Sequence, residues 1–272
     1  NQVDMVIVFN NGGCLDSQLK DLFHATNHKI LGCADNVGIA KALNEICHLA
    51  LDAGADYVVT FDQDSAPGRD FVCELYGSMG SASEVECIAA VGPLFFDVRG
   101  NKEVLPVFQS TSWWIKKINP LEVWPGNISA SLLITSGMLL KLSAWKIIGE
   151  FREDFFIDHV DTEWCFRAIN SGFQLFVCPS VLMEHELSDE SPIRVFGRLV
   201  LKYSPFRRYY YFRNTTFLLF EKHTPQGMRI YLIATIFYRF FVNFLVDKNK
   251  FSSIKAMLMG VAHGIAGRMG KL

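Results

Sequence analysis

Strand-like and helix-like segments alternate over the first third of the chain. Runs of β-branched and apolar residues cover 3–9, 30–34, 57–61 and 88–95. Apolar residues at helical spacing cover 15–25, 37–53 and 69–79. This alternation predicts an α/β fold with a mostly parallel sheet flanked by helices, in which ligands bind at the carboxyl ends of the strands. Residues 97–130 show neither period, so we expect an irregular loop that borders a ligand site.

The segment 57–61 ends in two carboxylates. Asp62 and Asp64 would lie on one side of the strand if it continued, but Ser65 to Gly68 turns the chain at this point. Two hard oxygen ligands at the end of a buried strand suit magnesium or manganese, and such an ion suits a diphosphate. An Asx turn that caps the next helix is the alternative interpretation.

The start of the helix over 37–53 is a second candidate for ligand binding. Gly38 lets a ligand approach the backbone N–H groups, and the positive end of the helix favours an anion. A plain helix cap formed by Asn36 is the alternative, since asparagine is a preferred capping residue. The next helices are expected over 136–148 and 159–171.

These segments occur in an order that resembles the nucleotide-sugar half of family 2 glycosyltransferases, most closely their bacterial rhamnosyltransferase branch. The order is NVGIA at 36–40, a helix, a strand, and DQDS at 62–65. Further similar motifs follow in the same order: ITSG at 134–137, GEF at 149–151, FFIDHVDTEWCFR at 155–167, HEL at 185–187 and SPFRRYYYFRN at 204–214. The resemblance therefore extends over nearly the whole chain.

The resemblance implies a GT-A-like catalytic domain and roles for single residues. Asp161 matches the catalytic base of the family, whereas Asp158 and Glu163 are alternatives that a helix dipole also explains. His185 is implied to complete the metal or diphosphate site, with a structural histidine as the alternative. The residues implied to bind the donor are Asn36, Gly38, Asn44, Asp62, Arg208 and Arg213, and those implied to bind Mg²⁺ or Mn²⁺ are Asp62, Asp64 and His185.

The N-terminal end departs from the family pattern. In the family, the strand that matches 3–9 is the second one, and the first strand helps to hold the nucleotide base. The family also carries an aspartate in the following turn, where this chain has Asn10. We therefore expect residues 1–200 to form a catalytic domain that lacks its first strand, and residues 201–272 to form an aromatic, basic helical region.

Charge is divided unevenly along the chain. Residues 1–193 hold 12 Lys and Arg against 26 Asp and Glu, whereas residues 194–272 hold 14 against only Glu221 and Asp247. A basic and aromatic tail favours an anionic membrane surface or a polyanion, and nucleic acid is the weaker option because no nucleic-acid motif accompanies the charge. Seven cysteines without a C-x-x-C pair favour a reducing cytosol over secretion.

An apolar helix is expected over 230–246. Its polar residues Thr235, Arg239 and Asn243 recur every four positions and continue to Asp247, which makes one narrow polar stripe. Arg239 at the centre makes the segment a poor transmembrane span. An interfacial helix, or a helix packed against its neighbour over 251–265, fits the pattern better.

These features predict an inverting, metal-dependent glycosyltransferase. The branch resemblance suggests dTDP-L-rhamnose as donor and a lipid-linked glycan as acceptor, at the inner face of the cytoplasmic membrane, in the synthesis of an O-antigen or capsule. Two other classes stay open. A nucleotidyltransferase would need a glycine-rich phosphate loop with a basic residue near the first strand, and an inactive sugar-nucleotide or membrane-binding remnant is suggested by Asn10 and the absent first strand.

Overall fold

The computed structural model describes residues 2–13, 28–81, 87–97, 104–123, 126–185, 190–195, 198–247 and 249–272. Strands β1 (Ile7–Asn11) and β2 (Lys29–Cys33) pair in parallel, with Ile7 opposite Lys29. The helix that the sequence predicts over 15–25 lies outside the described residues. Parallel pairing places the carboxyl ends of β1 and β2 side by side.

Helix α1 (Ile39–Asp52) follows β2 and confirms the helix predicted there. Its buried residues include Ala40, Leu43, Cys47 and Ala50, which recur at the three- and four-residue spacing of one helix face. Strand β3 (Tyr57–Val59) then runs back, so that the start of α1 and the end of β3 lie on the same side of the fold.

The central sheet has five strands in the order β3-β8-β4-β9-β7. The pair β4–β9 is parallel, and the pairs β3–β8, β8–β4 and β9–β7 are antiparallel. Its strands after β3 are β4 (Ile88–Asp97), β7 (Ile128–Ala130), β8 (Leu139–Lys141) and β9 (Gln174–His185). The central sheet is therefore mixed rather than mostly parallel as predicted, because β7 and β8, two strands that the sequence does not indicate, run antiparallel to their neighbours. Helix α2 (Phe71–Ser81) packs against β4 and β9.

Two segments differ from the sequence prediction. The helix expected over 136–148 starts only at Leu142, because Leu139–Lys141 pairs with β3 and forms β8, leaving helix α3 (Leu142–Ile148). Short apolar runs do not distinguish a buried strand from a helix. The region expected to be irregular contains the hairpin of β5 (Val107–Ser110) and β6 (Ile115–Ile118), together with β7.

Helix α4 (Val160–Asn170) confirms the helix expected over 159–171 and lies in the main core. Trp164 and Phe166 of this helix are fully buried together with Phe151 and Phe155 from the segment before it. A core on one side of α4 fixes the orientation of its first turn, where the candidate base lies.

The C-terminal region is helical after one hairpin, formed by β10 (Glu190–Val195) and β11 (Arg198–Lys202). Helices α5 (Pro205–Leu218), α6 (Gln226–Val246) and α7 (Lys250–Ile265) follow, as the sequence predicts. Gly260 and Gly264 of α7 let the backbone of α5 approach closely, since a Cβ atom at these positions would lie 2.6 Å from the Tyr209 carbonyl oxygen and 2.5 Å from that of Arg213. Helix α5 is therefore enclosed on most of its surface.

Candidate active site

The chain after β3 is tied to the segment that precedes β8. The Thr60 N–H group donates to the Met138 carbonyl oxygen at 3.1 Å, and the Gly137 N–H group donates to Thr60 at 2.6 Å. The Asp62 N–H group donates to the Ser136 hydroxyl at 3.3 Å. These contacts extend the pairing beyond β3 and turn the chain, so that Asp62 is partly buried and Asp64 is exposed.

Asp161, in the first turn of α4, contacts the same segment before β8. One of its carboxylate oxygens accepts the Thr135 N–H at 3.3 Å, and the other accepts the N–H of Thr162 at 2.7 Å. Burial raises the pKa of Asp161, and the neighbouring charge of Asp62 raises this pKa further, whereas the two N–H groups lower it. The structure thus brings Asp62 close enough to influence the ionisation of Asp161.

The segment before α4 has an unusual backbone. Phe156, Asp158 and His159 have φ angles of 64°, 62° and 62°, which side chains other than glycine rarely adopt. Burial raises the pKa of Asp158 to about 6, although the Arg207 guanidinium, 3.2 Å away, acts in the opposite direction. Burial lowers the pKa of His159 to about 3, and its ring bonds the Thr215 hydroxyl at 2.8 Å.

The start of α1 contacts this segment directly. The Ile39 N–H group donates to the Phe156 carbonyl oxygen at 2.9 Å. Gly38 has φ 90°, and a Cβ atom there would lie 2.8 Å from the same oxygen, so only glycine fits. The Asn36 side chain accepts the N–H of Gly38 at 2.9 Å, and α1 itself begins after Gly38 without a side-chain cap. The segment 156–161 therefore connects the α1 start to the carboxylates.

The sequence matches no protein-family model. It is 30% identical over 235 residues to dTDP-rhamnosyl transferase RfbF of Shigella flexneri, and the match spans 86% of this chain and 77% of that protein. The chain belongs to this family of bacterial rhamnosyltransferases. It is a glycosyltransferase that uses a nucleotide sugar.

Solved structures confirm the fold of this glycosyltransferase. GalNAc-T7 with UDP, GalNAc and Mn²⁺ superposes with a TM-score of 0.57 at 12% identity, over 97% of this chain and 51% of that one. Residues 1–349 of Staphylococcus aureus TarS in complex with UDP-GlcNAc superpose with a TM-score of 0.56 at 13% identity, over 96% of this chain and 71% of TarS 1–349. Both are GT-A glycosyltransferases, so the predicted GT-A-like α/β fold is confirmed.

Asn44, which the resemblance implies at the donor site of the glycosyltransferase, is buried and bound to the backbone of Phe151. Its side chain is 2% exposed, donates to the Phe151 carbonyl oxygen at 2.8 Å and accepts the Phe151 N–H at 2.9 Å. These two hydrogen bonds to the backbone of Phe151 hold α1 against the segment after α3. Its observed contacts are structural, and its role in donor binding stays a prediction.

Arg208 and Arg213 also have intramolecular partners. Arg208 is 4% exposed and pairs with Asp247 at the end of α6. Arg213 is 1% exposed and donates to the carbonyl oxygens of Asp154 at 3.1 Å and Phe155 at 2.9 Å. These contacts of both guanidinium groups hold α5 in place, and the role of the two arginines in donor binding stays a prediction.

The predicted metal ligands are placed differently by the structure, and the two carboxylates after β3 are the ones that it describes. His185 is the last residue of β9, opposite Asp97, and its side chain lies outside the described part of the structure, as does the rest of its motif at 186–187. No group of three or more His, Cys, Asp or Glu side chains is arranged as a metal site within the described ranges. Asp62 and Asp64 remain the described candidates, and their hard oxygen atoms suit Mg²⁺ or Mn²⁺.

Several contact residues escape sequence reasoning. Thr135 and Ser136 belong to the ITSG motif, but only the structure shows that they hold Asp161 and Asp62. Lys271 donates to the Asn36 carbonyl oxygen at 2.9 Å, and no local pattern signals this contact. Asn214 follows Arg213 in its motif and contacts the segment before α4. Such partners are distant in sequence, so no periodicity can indicate them.

Proposed function

We propose that the protein is an inverting, metal-dependent rhamnosyltransferase that transfers L-rhamnose from dTDP-L-rhamnose to a lipid-linked glycan. The relationship to a dTDP-rhamnosyl transferase supports the donor. The single observation that carries the mechanism is the placement of the buried Asp161 near Asp62, since Asp161 accepts the Thr135 N–H and the Asp62 N–H donates to the adjacent Ser136. A carboxylate in such surroundings has a raised pKa and suits a general base.

The proposed reaction is a single displacement. The acceptor hydroxyl gives its proton to Asp161 while its oxygen forms a bond to the anomeric carbon of the sugar. The bond between that carbon and the diphosphate oxygen breaks, and dTDP leaves with the electron pair. Asp158 is a weaker candidate for the base because its carboxylate is paired with Arg207 at 3.2 Å.

The divalent cation would be held by Asp62 and Asp64, with His185 as a further ligand. A bound cation supplies neutralisation of the charge that develops on the leaving diphosphate. The start of α1, with its N–H groups and Gly38, would accept the anionic part of the donor. Mn²⁺ in the GalNAc-T7 structure supports a cation at this fold, but at 12% identity the likeness extends to the fold alone.

The proposed acceptor places the reaction at the inner face of the cytoplasmic membrane, in the synthesis of an O-antigen or capsule. Residues 1–200 would form the catalytic domain and residues 201–272 the membrane-associated helical region. Family membership argues against the nucleotidyltransferase alternative. An inactive remnant that binds donor without turnover remains the competing proposal, and measured transfer would eliminate it.

Donor binding with and without metal tests this proposal. Asp64→Ala should abolish the increase in dTDP affinity that Mn²⁺ causes, while circular dichroism and the thermal midpoint stay unchanged, because an exposed carboxylate contributes little to packing. Asp52→Ala, at the exposed far end of α1, is the matched control and should bind as the wild type does. Equal calorimetric affinity of Asp64→Ala and wild type for dTDP with Mn²⁺ would remove Asp64 from the metal site.

A further inference from the structure

Helix α6 has its polar side turned into the protein. The Arg239 guanidinium lies 4.1 Å from the centre of the Tyr211 ring. Asn243 is 8% exposed and contacts the Met257 sulfur at 3.8 Å, and Asp247 pairs with Arg208. The polar stripe seen in the sequence therefore faces α5 and α7, and all its charged groups have partners inside the protein.

The opposite side of α6 is apolar and faces outward. Six large apolar side chains on it are between 43% and 70% exposed, and they recur at three- and four-residue spacing: Ile230, Ile233, Phe237, Phe241, Phe244 and Leu245. A helix of a soluble domain normally shows the reverse arrangement, with its apolar side buried. Contiguous exposed apolar surface of this kind marks an interaction site.

Helix α7 also exposes large apolar side chains. Phe251, Leu258 and Ile265 are spaced by seven residues and are 80%, 55% and 63% exposed. Together with the six side chains of α6 they form what we call the outer face. Lys250 lies 5.2 Å from the ring of Phe244, and Lys255 is exposed between Phe251 and Leu258. Asp247, the acidic residue closest to this surface in the sequence, is engaged with Arg208.

We infer that the outer face lies in the headgroup boundary of an anionic bilayer. Apolar side chains flanked by lysines, without an available carboxylate in 223–272, complement such a surface. Helix α6 is long and apolar enough to cross a membrane by length and composition, but Arg239 and Asn243 on its inner side bind protein groups, so the helix lies in the interface. The inference rests on the proposed lipid-linked acceptor.

Arg239 also links the outer face to the reaction site. Its charge lowers the pKa of Asp158, and Asp158 lies three residues before Asp161. Asp158 in turn pairs with Arg207 at the start of α5. The bilayer would therefore lie on the far side of α6 from the segment that precedes the candidate base.

Vesicle sedimentation tests the outer face. Wild-type protein should bind vesicles of equal parts phosphatidylcholine and phosphatidylglycerol more tightly than vesicles of phosphatidylcholine alone, and salt should weaken this binding. The double variant Phe237→Glu with Phe241→Glu should reduce the bound fraction by about tenfold or more. Ile147→Glu on α3, where the side chain is 72% exposed outside the outer face, is the control and should bind normally.

Three results would overturn the inference: equal sedimentation of the double variant and wild type, no preference for anionic lipid, or a change from dimer to monomer in the double variant with no vesicle binding by either form. The last result would assign the outer face to a second copy of the chain. Calorimetric affinity for dTDP with Mn²⁺ is measured on the same samples. Loss of vesicle binding with unchanged dTDP affinity separates this inference from the proposed donor site.

A second observation concerns the segment before α4. Its three residues with positive φ, Phe156, Asp158 and His159, need external contacts to keep this backbone. The Asn214 side-chain amide supplies them, because it lies within 3.0 Å of the Phe155 carbonyl oxygen, 2.8 Å of that of Ile157 and 2.9 Å of that of Asp158. Asn214 is fully buried on α5, so these contacts are its main role in the fold.

We propose that Asn214 is a positioning residue for the candidate base. The carbonyl groups that it binds end three residues before Asp161, and the same segment receives the start of α1 through the Phe156 carbonyl oxygen. Without Asn214, the segment is free to leave its strained backbone, and the first turn of α4 would shift relative to Thr135. The donor site after β3 has its own contacts and should be affected less.

Steady-state kinetics tests this role. Asn214→Leu, similar in volume but without donors, should lower kcat by about tenfold or more and change the donor KM by less than about threefold. Thr216→Val on the same helix is the control, since the buried Thr216 hydroxyl has no hydrogen-bond partner among the described residues and the change keeps the shape. Asn214→Ser keeps one donor and should give an intermediate kcat.

Wild-type kcat for Asn214→Leu or Asn214→Ser, measured well below their thermal midpoints, would overturn the positioning role. Failure of both variants to fold, while Thr216→Val folds, would assign Asn214 to stability alone and overturns it as well. The failure of the proposed base is visible separately, because an active Asp161→Asn variant would show it whatever the Asn214 variants do.

Discussion

Replacing Asp161 by asparagine should separate catalysis from stability in this protein. The change keeps the shape of the side chain and removes its basicity. A general base contributes about two to four orders of magnitude to turnover. This loss corresponds to about 3 to 5 kcal/mol of activation free energy. Because the proposed role of Asp161 concerns only the acceptor hydroxyl, the affinity for donor should stay nearly unchanged.

The structure predicts a much smaller effect on folding. Asp161 accepts two N–H groups, from Thr135 at 3.3 Å and from Thr162 at 2.7 Å, and the asparagine oxygen keeps one of these bonds. One lost bond costs about 1 kcal/mol. Burial raises the pKa of Asp161, so its ionised form destabilises the fold above that pKa, and removing the charge offsets the lost bond. We expect the thermal midpoint to move by no more than about 4 °C.

The assay follows dTDP released from dTDP-L-rhamnose in the presence of membranes that carry lipid-linked acceptors, with the thermal midpoint measured on the same protein. Asp158→Asn, the same substitution three residues earlier, is the matched control and should lower turnover far less, since its carboxylate is paired with Arg207. A dead Asp158→Asn with a near-native Asp161→Asn would mean that the base lies one helical turn earlier. Wild-type rates in both variants would mean that neither α4 nor the residues just before it supply the base.

Three further outcomes follow from the packing. Gly38→Ala should lower stability by about 1 to 3 kcal/mol in chemical unfolding, because its Cβ atom would lie 2.8 Å from the Phe156 oxygen at φ 90°, and a normal unfolding midpoint would contradict this. Glu163→Gln should cost about 1 to 3 kcal/mol with little change in turnover, since the buried carboxylate bonds Arg167 at 2.7 Å. Because the pKa of Asp158 is raised to about 6, the stability that its protonated form gives is present below its ordinary pKa of 3.8 and lost as the pH rises through 6. As the pH rises from 3.8 to 6, the free energy of unfolding of Asp158→Asn should therefore increase relative to that of wild type by on the order of 3 kcal/mol. Urea unfolding across pH measures this difference, and a difference that stays constant with pH would refute the burial argument.

The sequence alone predicts most of the elements that position the site. The alternation over 3–95 gives β1, α1, β3, α2 and β4, and the apolar spacing gives α4, α6 and α7 close to their observed bounds. These elements are predictable because each repeats a local period over several residues. The order of motifs also indicates the family, whereas the influence of the Asp62 charge on the pKa of Asp161 is seen only in the structure.

Contacts between residues that are distant in the chain determine the features that the sequence did not predict. Leu139–Lys141 reads as helix, yet it becomes a strand because β3 and β4 offer open edges beside it. Arg208 and Arg213 look like phosphate ligands, yet Asp247 and backbone carbonyl groups already bind them. The local sequence pattern gives no signal of such long-range contacts.

The orientation of α6 is the clearest example of a feature that the local sequence pattern cannot predict. A narrow polar stripe on an apolar helix is compatible with a buried helix and with one at a lipid surface, since a protein core and a bilayer are both apolar solvents. The tertiary structure shows which side is buried, because α5 and α7 supply partners for Arg239, Asn243 and Asp247 and thereby turn Phe237 and Phe241 outward. The sequence determined the stripe, and the packing of the neighbouring helices determined which side of it faces solvent.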